Sequence, residues 1–175
     1  EEALLGGALD LAVHSLKDLP AELPAALVLG AFPEREDARD VLVTSNGAGL
    51  EDLRSGAVVG TSSPRRRAIA LALRPDLVIE AIRGNVDTRL RRLAGGGWDG
   101  VILAAAGLNR LGLRPEHARP LATDVFVPAV GQGILGVEVR RDDPETGRLV
   151  MTLDHGPTRV CALAERAYLE RLGGS

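Results

Sequence analysis

The chain has 175 residues, of which 45% are hydrophobic, and its 24 acidic and 21 basic side chains give a formal net charge of −3. This length allows one or two domains with a sizeable core, while the acidic balance and only four aromatic residues argue against a nucleic-acid partner. The sequence shows no apolar run long enough for a bilayer, no secretory signal and a single cysteine, Cys161, so we expect a cytoplasmic protein without a membrane partner.

The predicted elements begin with the last turns of a helix at Glu1–Leu5 and a buried strand from Leu9 to His14. Strands and helices then alternate: the predicted strands lie at 41–43, 57–60, 77–82 and 100–104, and the predicted helices lie near 50–53 and at 64–73, 86–94 and 105–111. This alternation is typical of a parallel sheet with crossover helices, in which ligands bind at the carboxyl ends of the strands. A strand-like run follows at 137–139. A final helix is predicted from a stripe formed by Cys161, Ala164, Tyr168 and Leu172.

Twenty of the 21 basic residues are arginine, and five of these lie in two loops, Ser63–Arg67 and Arg83–Arg89, that follow predicted strands. In the first loop Ser63 is predicted to be an N-cap and Pro64 the first helical residue. Cations in a first turn oppose the helix dipole, so helix stability does not explain these arginines, whereas an anion bound at the helix terminus does. The alternative is that the arginines form a solvated face.

Other side chains of the two loops fit the same interpretation. The hydroxyls of Thr61, Ser62 and Ser63 would add hydrogen bonds to the guanidinium forks, which grip carboxylates with two donors. Gly84 permits a tight turn in the second loop. Asp87 is expected either to cap the following helix or to pair with Arg83.

A further polar segment, His14-Ser15-Leu16-Lys17-Asp18, follows the predicted strand at 9–14. Lys17 is the single lysine of the chain, which suggests a position where a compact point charge is needed. Asp18 is a candidate acid, base or cation stabiliser; the alternative is a surface turn with an ion pair. His14 alone is more typical of a core histidine with a satisfied hydrogen bond.

Three other patterns indicate no cofactor site. Gly131–Gly136 fits GxGxxG, but a strand-like run follows it where a dinucleotide fold needs a helix. The three histidines and Cys161 show no metal-ligand spacing, so we expect no metal, and Cys161 is predicted to be a small core residue. Trp98 is predicted to anchor a turn against the sheet.

Six motifs together resemble the porphobilinogen deaminase family, whose members are also called hydroxymethylbilane synthases. The resemblance runs in order through the whole chain. Its motifs are His14-Ser-Leu-Lys-Asp18-Leu-Pro20, Thr61-Ser-Ser-Pro-Arg-Arg66, Arg83-Gly-Asn-Val-Asp-Thr-Arg89, the stretch from Leu103 to Arg110, Pro128-Ala-Val-Gly-Gln132-Gly133 and Ala164-Glu-Arg-Ala167.

The resemblance implies a transferase of tetrapyrrole biosynthesis, including that of heme. Such an enzyme joins four porphobilinogen molecules head to tail, releases ammonia and hydrolyses off hydroxymethylbilane from a covalent dipyrromethane cofactor. Asp18 is the implied catalytic acid, which donates protons to the leaving amine and stabilises the resulting cation. The implied cofactor contacts are Ser15, Lys17, Asp18, Thr61, Ser62, Ser63, Arg65, Arg66, Arg83 and Gly84. The implied substrate contacts are Arg83, Arg89, Arg110 and Gln132.

The resemblance also implies the domain organisation: an α/β fold of periplasmic-binding-protein-like domains with mixed, mostly parallel sheets. Residues 1–37 would be part of a first domain, 38–128 a whole second domain, 129–152 a hinge and return segment, and 153–175 the first helix of a third domain. We therefore expect a partial chain whose primer-bearing cysteine lies beyond Ser175. Alone, this chain is expected to be a monomer without deaminase activity.

A different class of protein would share the same fold and arginine loops. This alternative is a non-catalytic binding module for a small polycarboxylate anion. Asp18 and a covalent primer separate the two hypotheses, because a pure receptor needs neither.

Overall fold

The computed structural model describes residues 1–173, and the chain divides into two compact units. Unit 1 comprises Glu1–Glu36 and the residues from Ala129 onward, and unit 2 comprises Asp37–Pro128. Unit 2 begins one residue before the predicted second domain and ends at the same residue, and the assignment of the units to domains stays a prediction. A separate third domain at 153–175 also stays a prediction. In the structure, the helix at these positions belongs to unit 1. Ser175, after which the cysteine was expected, lies outside the described residues.

The described elements follow in chain order. The strands are β1 (Leu11–Ser15), β2 (Leu27–Ala31), β3 (Asp40–Thr44), β4 (Val58–Gly60), β5 (Val78–Glu80), β6 (Gly100–Ala104), β7 (Ala118–Pro120) and β8 (Leu135–Arg140). The helices are α1 (Glu2–Leu5), α2 (Pro64–Leu73), α3 (Val86–Ala94), α4 (Ala105–Arg110), α5 (Pro144–Met151) and α6 (Gly156–Arg171), and a short 3-10 helix spans Leu16–Asp18. None of these helices combines the length and the apolar character that crossing a membrane requires.

Unit 2 contains a five-stranded sheet with the order β5-β4-β6-β3-β7. β4 pairs in parallel with β5 and β6, whereas β3 pairs antiparallel with β6 and β7. The predicted helix near 50–53 is wrong, since these residues form turns, and β3 therefore reaches β4 without a crossover helix. The sheet is mixed. As a result, the first residue of β3, Asp40, lies opposite Ala104 at the carboxyl end of β6.

The core of unit 2 lies on both faces of this sheet. Leu42, Val59 and Ile102 pack on one face, where Ala70 of α2 joins them. Alternate residues of β3 and β6 pack on the other face with α3 and α4; they are Val41, Val43, Val101 and Leu103. This burial on both faces explains why β3 and β6 are apolar without alternation. The indole of Trp98 packs against the second cluster, as expected, and donates to Glu80 Oε2 at 2.9 Å.

Unit 1 contains a three-stranded antiparallel sheet in which β8 lies between β1 and β2. The first strand was predicted to be buried, but this is wrong for β1: the side chains of Leu11 and Val13 are 41% and 57% exposed. β1 has one neighbouring strand in the described part of the chain, so its side chains are covered less than those of the central strand β8.

Helix α6 packs against unit 1 through a face that differs from the predicted one. Ala162 is fully buried and contacts the cluster that contains Leu16, Phe32 and Ile134. Cys161 is exposed, so its prediction as a core residue is wrong. Tyr168 is also exposed, because the apolar stripe of the sequence lies beside the face that packs.

We expect Phe32→Ala to lower the free energy of unfolding by about 3–5 kcal/mol, because a fully buried ring is removed from the core of unit 1. Hydrogen exchange should accelerate in β2 and β8 more than in β3 and β6. Chemical denaturation and exchange by mass spectrometry measure both effects. Tyr168→Ala is the control, with an expected change within about 0.5 kcal/mol, since Tyr168 is exposed.

Candidate anion-binding site

The first arginine loop has the predicted helix start. Ser63 is the N-cap of α2, its side-chain oxygen accepts a hydrogen bond from the Arg66 amide at 3.4 Å, and Pro64 is the first helical residue. The buried Thr61 hydroxyl oxygen accepts from the Ser63 amide at 3.2 Å. These hydroxyls fix the turn, and the positive end of the α2 dipole lies directly after β4.

The second arginine loop turns at Gly84, whose φ of +103° is a conformation that favours glycine. Asn85 caps α3 and accepts from the amide and the hydroxyl of Thr88 at 3.0 and 2.8 Å. The first alternative for Asp87, that it caps this helix, is therefore wrong. The guanidinium of Arg89 reaches back and donates from Nε to the Gly84 carbonyl at 2.9 Å.

The two loops lie side by side at one edge of the unit 2 sheet. The Ser62 hydroxyl donates to the carbonyl of Ile82, the residue before Arg83, at 2.5 Å, and the Thr61 amide donates to the Glu80 carbonyl at 2.9 Å. Parallel pairing of β4 and β5 brings their carboxyl ends together. The structure thus joins the two loops as the sequence predicted.

A buried carboxylate that the sequence analysis missed lies beneath the first loop. Asp40 is fully buried, and its Oδ1 accepts from Arg66 Nε at 3.0 Å and lies 2.8 Å from Arg66 Nη2. Its Oδ2 lies 2.7 Å from Arg65 Nη2. Arg66 also donates to the Ile102 carbonyl at 2.9 Å. An acidic residue at the start of an otherwise apolar strand was the available signal.

The electrostatics of Arg66 reflect this crowding of charges. Burial lowers the pKa of its guanidinium, Asp40 opposes that shift, and the neighbouring charges of Arg65 and Arg89 lower the pKa further. The positive charges of Arg65 and Arg89 are therefore close enough to repel that of Arg66. A bound anion would relieve this repulsion.

Arg65 has the donor that is available to such an anion. Its Nη1 donates to the Val127 carbonyl and its Nη2 pairs with Asp40. Its Nε is buried and has no hydrogen-bond partner among the described residues. Because an unsatisfied buried N–H is costly, this atom indicates a ligand acceptor.

The polar segment of unit 1 forms a second group of candidate residues. Ser15 ends β1, and the side chains of Lys17 and Asp18 are exposed on the 3-10 helix that follows. The Leu16 amide donates to the Ile134 carbonyl at 2.9 Å, which joins this turn to the glycine-rich segment. A Cβ on residue 131 would lie 3.1 Å from the backbone nitrogen of Lys17, so glycine at this position permits the two backbone segments to approach closely.

Gln132 belongs to the same glycine-rich segment and is almost fully buried. Its carbonyl accepts from Arg35 Nε at 3.0 Å, and Arg35 Nη1 lies 2.5 Å from Glu165 Oε1 of α6. Glu165 Oε2 also accepts from the Gly131 amide at 2.6 Å. The sequence analysis assigned no role to Arg35 or Glu165. We call this group the Arg35–Glu165 clamp.

The remaining candidates lie elsewhere. Arg110 is the last residue of α4, and its side chain is exposed. His14 Nε2 lies 2.9 Å from Glu138 Oε2, so His14 has the expected partner, but its side chain is 27% exposed and it is not a core residue. No group of three or more metal-ligating side chains occurs among residues 1–173.

Solved structures of other proteins share the fold of this chain. A periplasmic substrate-binding protein of an ABC transporter from Coxiella burnetii is 20% identical, with a TM-score of 0.56, and the match covers 94% of this chain and 79% of that one. A lipoprotein from Bacillus subtilis is 13% identical, with a TM-score of 0.58, and the match covers 90% and 74%. The predicted class, an α/β protein with periplasmic-binding-protein-like domains, is confirmed.

The family follows from closer matches. Residues 1–148 match the family model described as "Porphobilinogen deaminase, dipyromethane cofactor binding domain". Porphobilinogen deaminases from Brevibacillus brevis and Roseiflexus sp. are 52% and 54% identical to this chain over 174 residues, 99% of its length. The chain belongs to the porphobilinogen deaminase family. It spans 56% and 57% of the lengths of these two relatives.

We expect Asn85→Ala to lower the free energy of unfolding by about 1 kcal/mol, because α3 loses its cap. Asp87→Ala is the comparison, and we expect a smaller loss of about 0.3 kcal/mol from its interaction with the helix dipole. Urea denaturation measures both values. A larger loss for Asp87→Ala than for Asn85→Ala would contradict the assignment of the cap.

Proposed function

We propose that this chain holds the dipyrromethane cofactor and the substrate carboxylates of a porphobilinogen deaminase, a transferase of tetrapyrrole and heme biosynthesis. The complete enzyme would join four porphobilinogen molecules head to tail and release ammonia and hydroxymethylbilane. The observation that carries this proposal is the convergence of two arginine loops and two helix N-termini at one sheet edge, in a chain that matches the cofactor-binding domain.

The side chains present fit a dipyrromethane, whose rings carry acetate and propionate groups. The donors at the sheet edge are guanidinium groups, hydroxyls and backbone amides, which are suited to carboxylates. The partnerless Nε of Arg65 adds an observation that points to an acceptor there. When bound, the cofactor supplies the terminal pyrrole to which the first porphobilinogen is joined.

Each unit carries its own proposed contacts. In unit 2, Arg65, Arg83 and Arg89 would bind carboxylates. The turns and the helix start that hold these arginines in the cofactor site are formed by Thr61, Ser62, Ser63, Arg66 and Gly84. In unit 1, Ser15, Lys17 and Gln132 would contribute contacts near Asp18. Arg110 is the remaining substrate contact that we propose.

Asp18 would move the proton on which the reaction depends. Loss of ammonia from porphobilinogen leaves a positive charge on the substrate, so a carboxyl group near the aminomethyl group can first donate a proton and then stabilise the cation. Asp18 is exposed on a short 3-10 helix held by the Leu16–Ile134 hydrogen bond, which gives its carboxylate a defined support.

The cytoplasmic location and the monomeric state remain predictions from the sequence. The non-catalytic alternative, a binding module for a small polycarboxylate, would use the same arginine loops. The matches to porphobilinogen deaminases across 99% of the chain favour the enzyme over this alternative.

We expect Asp18→Asn to reduce ammonia release by about a hundredfold or more, because the proton donor is lost. The assay uses a chimera that joins this chain to the remaining part of the Brevibacillus brevis relative. Binding of porphobilinogen should change little, since the arginines remain. Asp10→Asn is the matched control, because Asp10 is an exposed aspartate of unit 1 that pairs with Arg140 at 3.4 Å. Unchanged turnover in Asp18→Asn would refute the assignment of the acid.

We also expect Arg89→Gln to weaken porphobilinogen binding to the 175-residue chain by about tenfold, because one charge-assisted contact is removed. The dependence of affinity on salt concentration should decrease in parallel. Isothermal titration calorimetry at two salt concentrations measures both quantities. Arg148→Gln on α5 serves as the control for the loss of one positive charge. Equal effects of the two substitutions would indicate general charge attraction rather than a site.

A further inference from the structure

We propose that Asp40 is the positioning residue of this anion site. Its buried carboxylate, which Arg66 holds in place, fixes the guanidinium of Arg65 in the orientation that receives a ligand carboxylate. This inference deepens the proposed function and rests on it.

The geometry gives Asp40 two partners at once. Oδ1 is occupied by Arg66, at 3.0 Å from Nε and 2.8 Å from Nη2, and Oδ2 lies 2.7 Å from Arg65 Nη2. One carboxylate therefore restricts the rotamers of two long side chains before any ligand arrives. Because these side chains are already ordered, the entropy cost of ligand binding is smaller.

The two arginines have different roles in this arrangement. The side chain of Arg66 is 7% exposed, and its guanidinium is bound to Asp40 and to the Ile102 carbonyl. The side chain of Arg65 is 24% exposed and carries the buried Nε without a partner. Arg65 is thus the arginine of the pair that a ligand would meet, and Arg66 supports Asp40 from inside the sheet.

The position of Asp40 follows from the antiparallel direction of β3. Because β3 runs opposite to β6, its first residue lies at the edge where the arginine loops end. A parallel β3 would place Asp40 at the far edge. The mixed sheet is therefore what brings the carboxylate to the site.

Positioning and simple charge balance predict opposite results. If Asp40 only offset positive charge, removing its charge would strengthen anion binding, because the site would become more positive. If Asp40 holds Arg65 in place, removing its charge weakens binding. The direction of the change therefore decides between them.

The experiment measures porphobilinogen binding to the 175-residue chain by calorimetry. We expect Asp40→Asn to weaken binding by about tenfold, because the guanidinium of Arg65 loses its anchor. Asp76→Asn is the matched control: Asp76 pairs with Arg74 at 2.7 Å but precedes β5, at the opposite end of that strand from the arginine loops. Its affinity should stay within about twofold of the wild type.

A double substitution separates positioning from general damage. Arg65→Gln alone should weaken binding by about tenfold, and adding Asp40→Asn should then change affinity by less than about twofold, because Arg65 is the residue that Asp40 positions. If Asp40→Asn does not fold, Arg65→Lys replaces it. Lysine keeps the charge but cannot bridge Asp40 and the Val127 carbonyl, so its loss of affinity should approach that of Arg65→Gln.

The outcomes distinguish the two proposals. Weaker binding for Arg65→Gln, with unchanged or tighter binding for Asp40→Asn, would overturn the role of Asp40 and leave the proposed function standing. If Asp40→Asn does not fold, wild-type affinity in Arg65→Lys would do the same. Absence of binding by the wild-type chain would overturn the proposed function, and the role of Asp40 would fall with it.

Discussion

The pairing of one buried carboxylate with two guanidinium groups is the constraint on which the anion site depends. Arginines in the first turn of α2 oppose the helix dipole, and Asp40 supplies the opposite charge that makes this arrangement stable. A lone buried charge is costly, so the pair must form as a unit when the sheet assembles. The same sheet that forms the core of unit 2 therefore also fixes the cations at its edge.

Two levels of structure converge at that edge. Local sequence sets the helix starts, where Ser63 and Asn85 cap α2 and α3. Strand pairing then places both starts side by side, because β4 and β5 are parallel neighbours. Neither level alone would concentrate three guanidinium groups in one place. Their mutual repulsion is the electrostatic cost of a site that is prepared for anions.

Much of this arrangement could be predicted from the sequence. The bounds of α2 and α3 are those predicted, because caps, proline and periodicity are local signals. The direction of β3 could not be predicted, since it depends on pairing with distant strands and on the missing helix near 50–53. The role of Asp40 was missed for the same reason. The packing face of α6 was also missed, because Cys161 and Tyr168 are apolar side chains that remain exposed. For the candidate site, the sequence indicated the arginine loops, while their internal partners required the tertiary structure.

The Arg35–Glu165 clamp has a consequence for how the chain is assembled. The segments of unit 1 that lead into and out of unit 2 are hydrogen-bonded neighbours, with the Glu36 amide donating to the Gly133 carbonyl at 3.0 Å. Unit 2 is thus an insertion whose first and last residues are connected to neighbouring points of unit 1. The entropy cost of closing such a long insertion grows only slowly with its length, so the contacts inside unit 2 can offset it. Unit 1 could be closed by a short linker in place of residues 37–128. The two units are in this sense separable modules, which recombination could exchange without cutting either sheet.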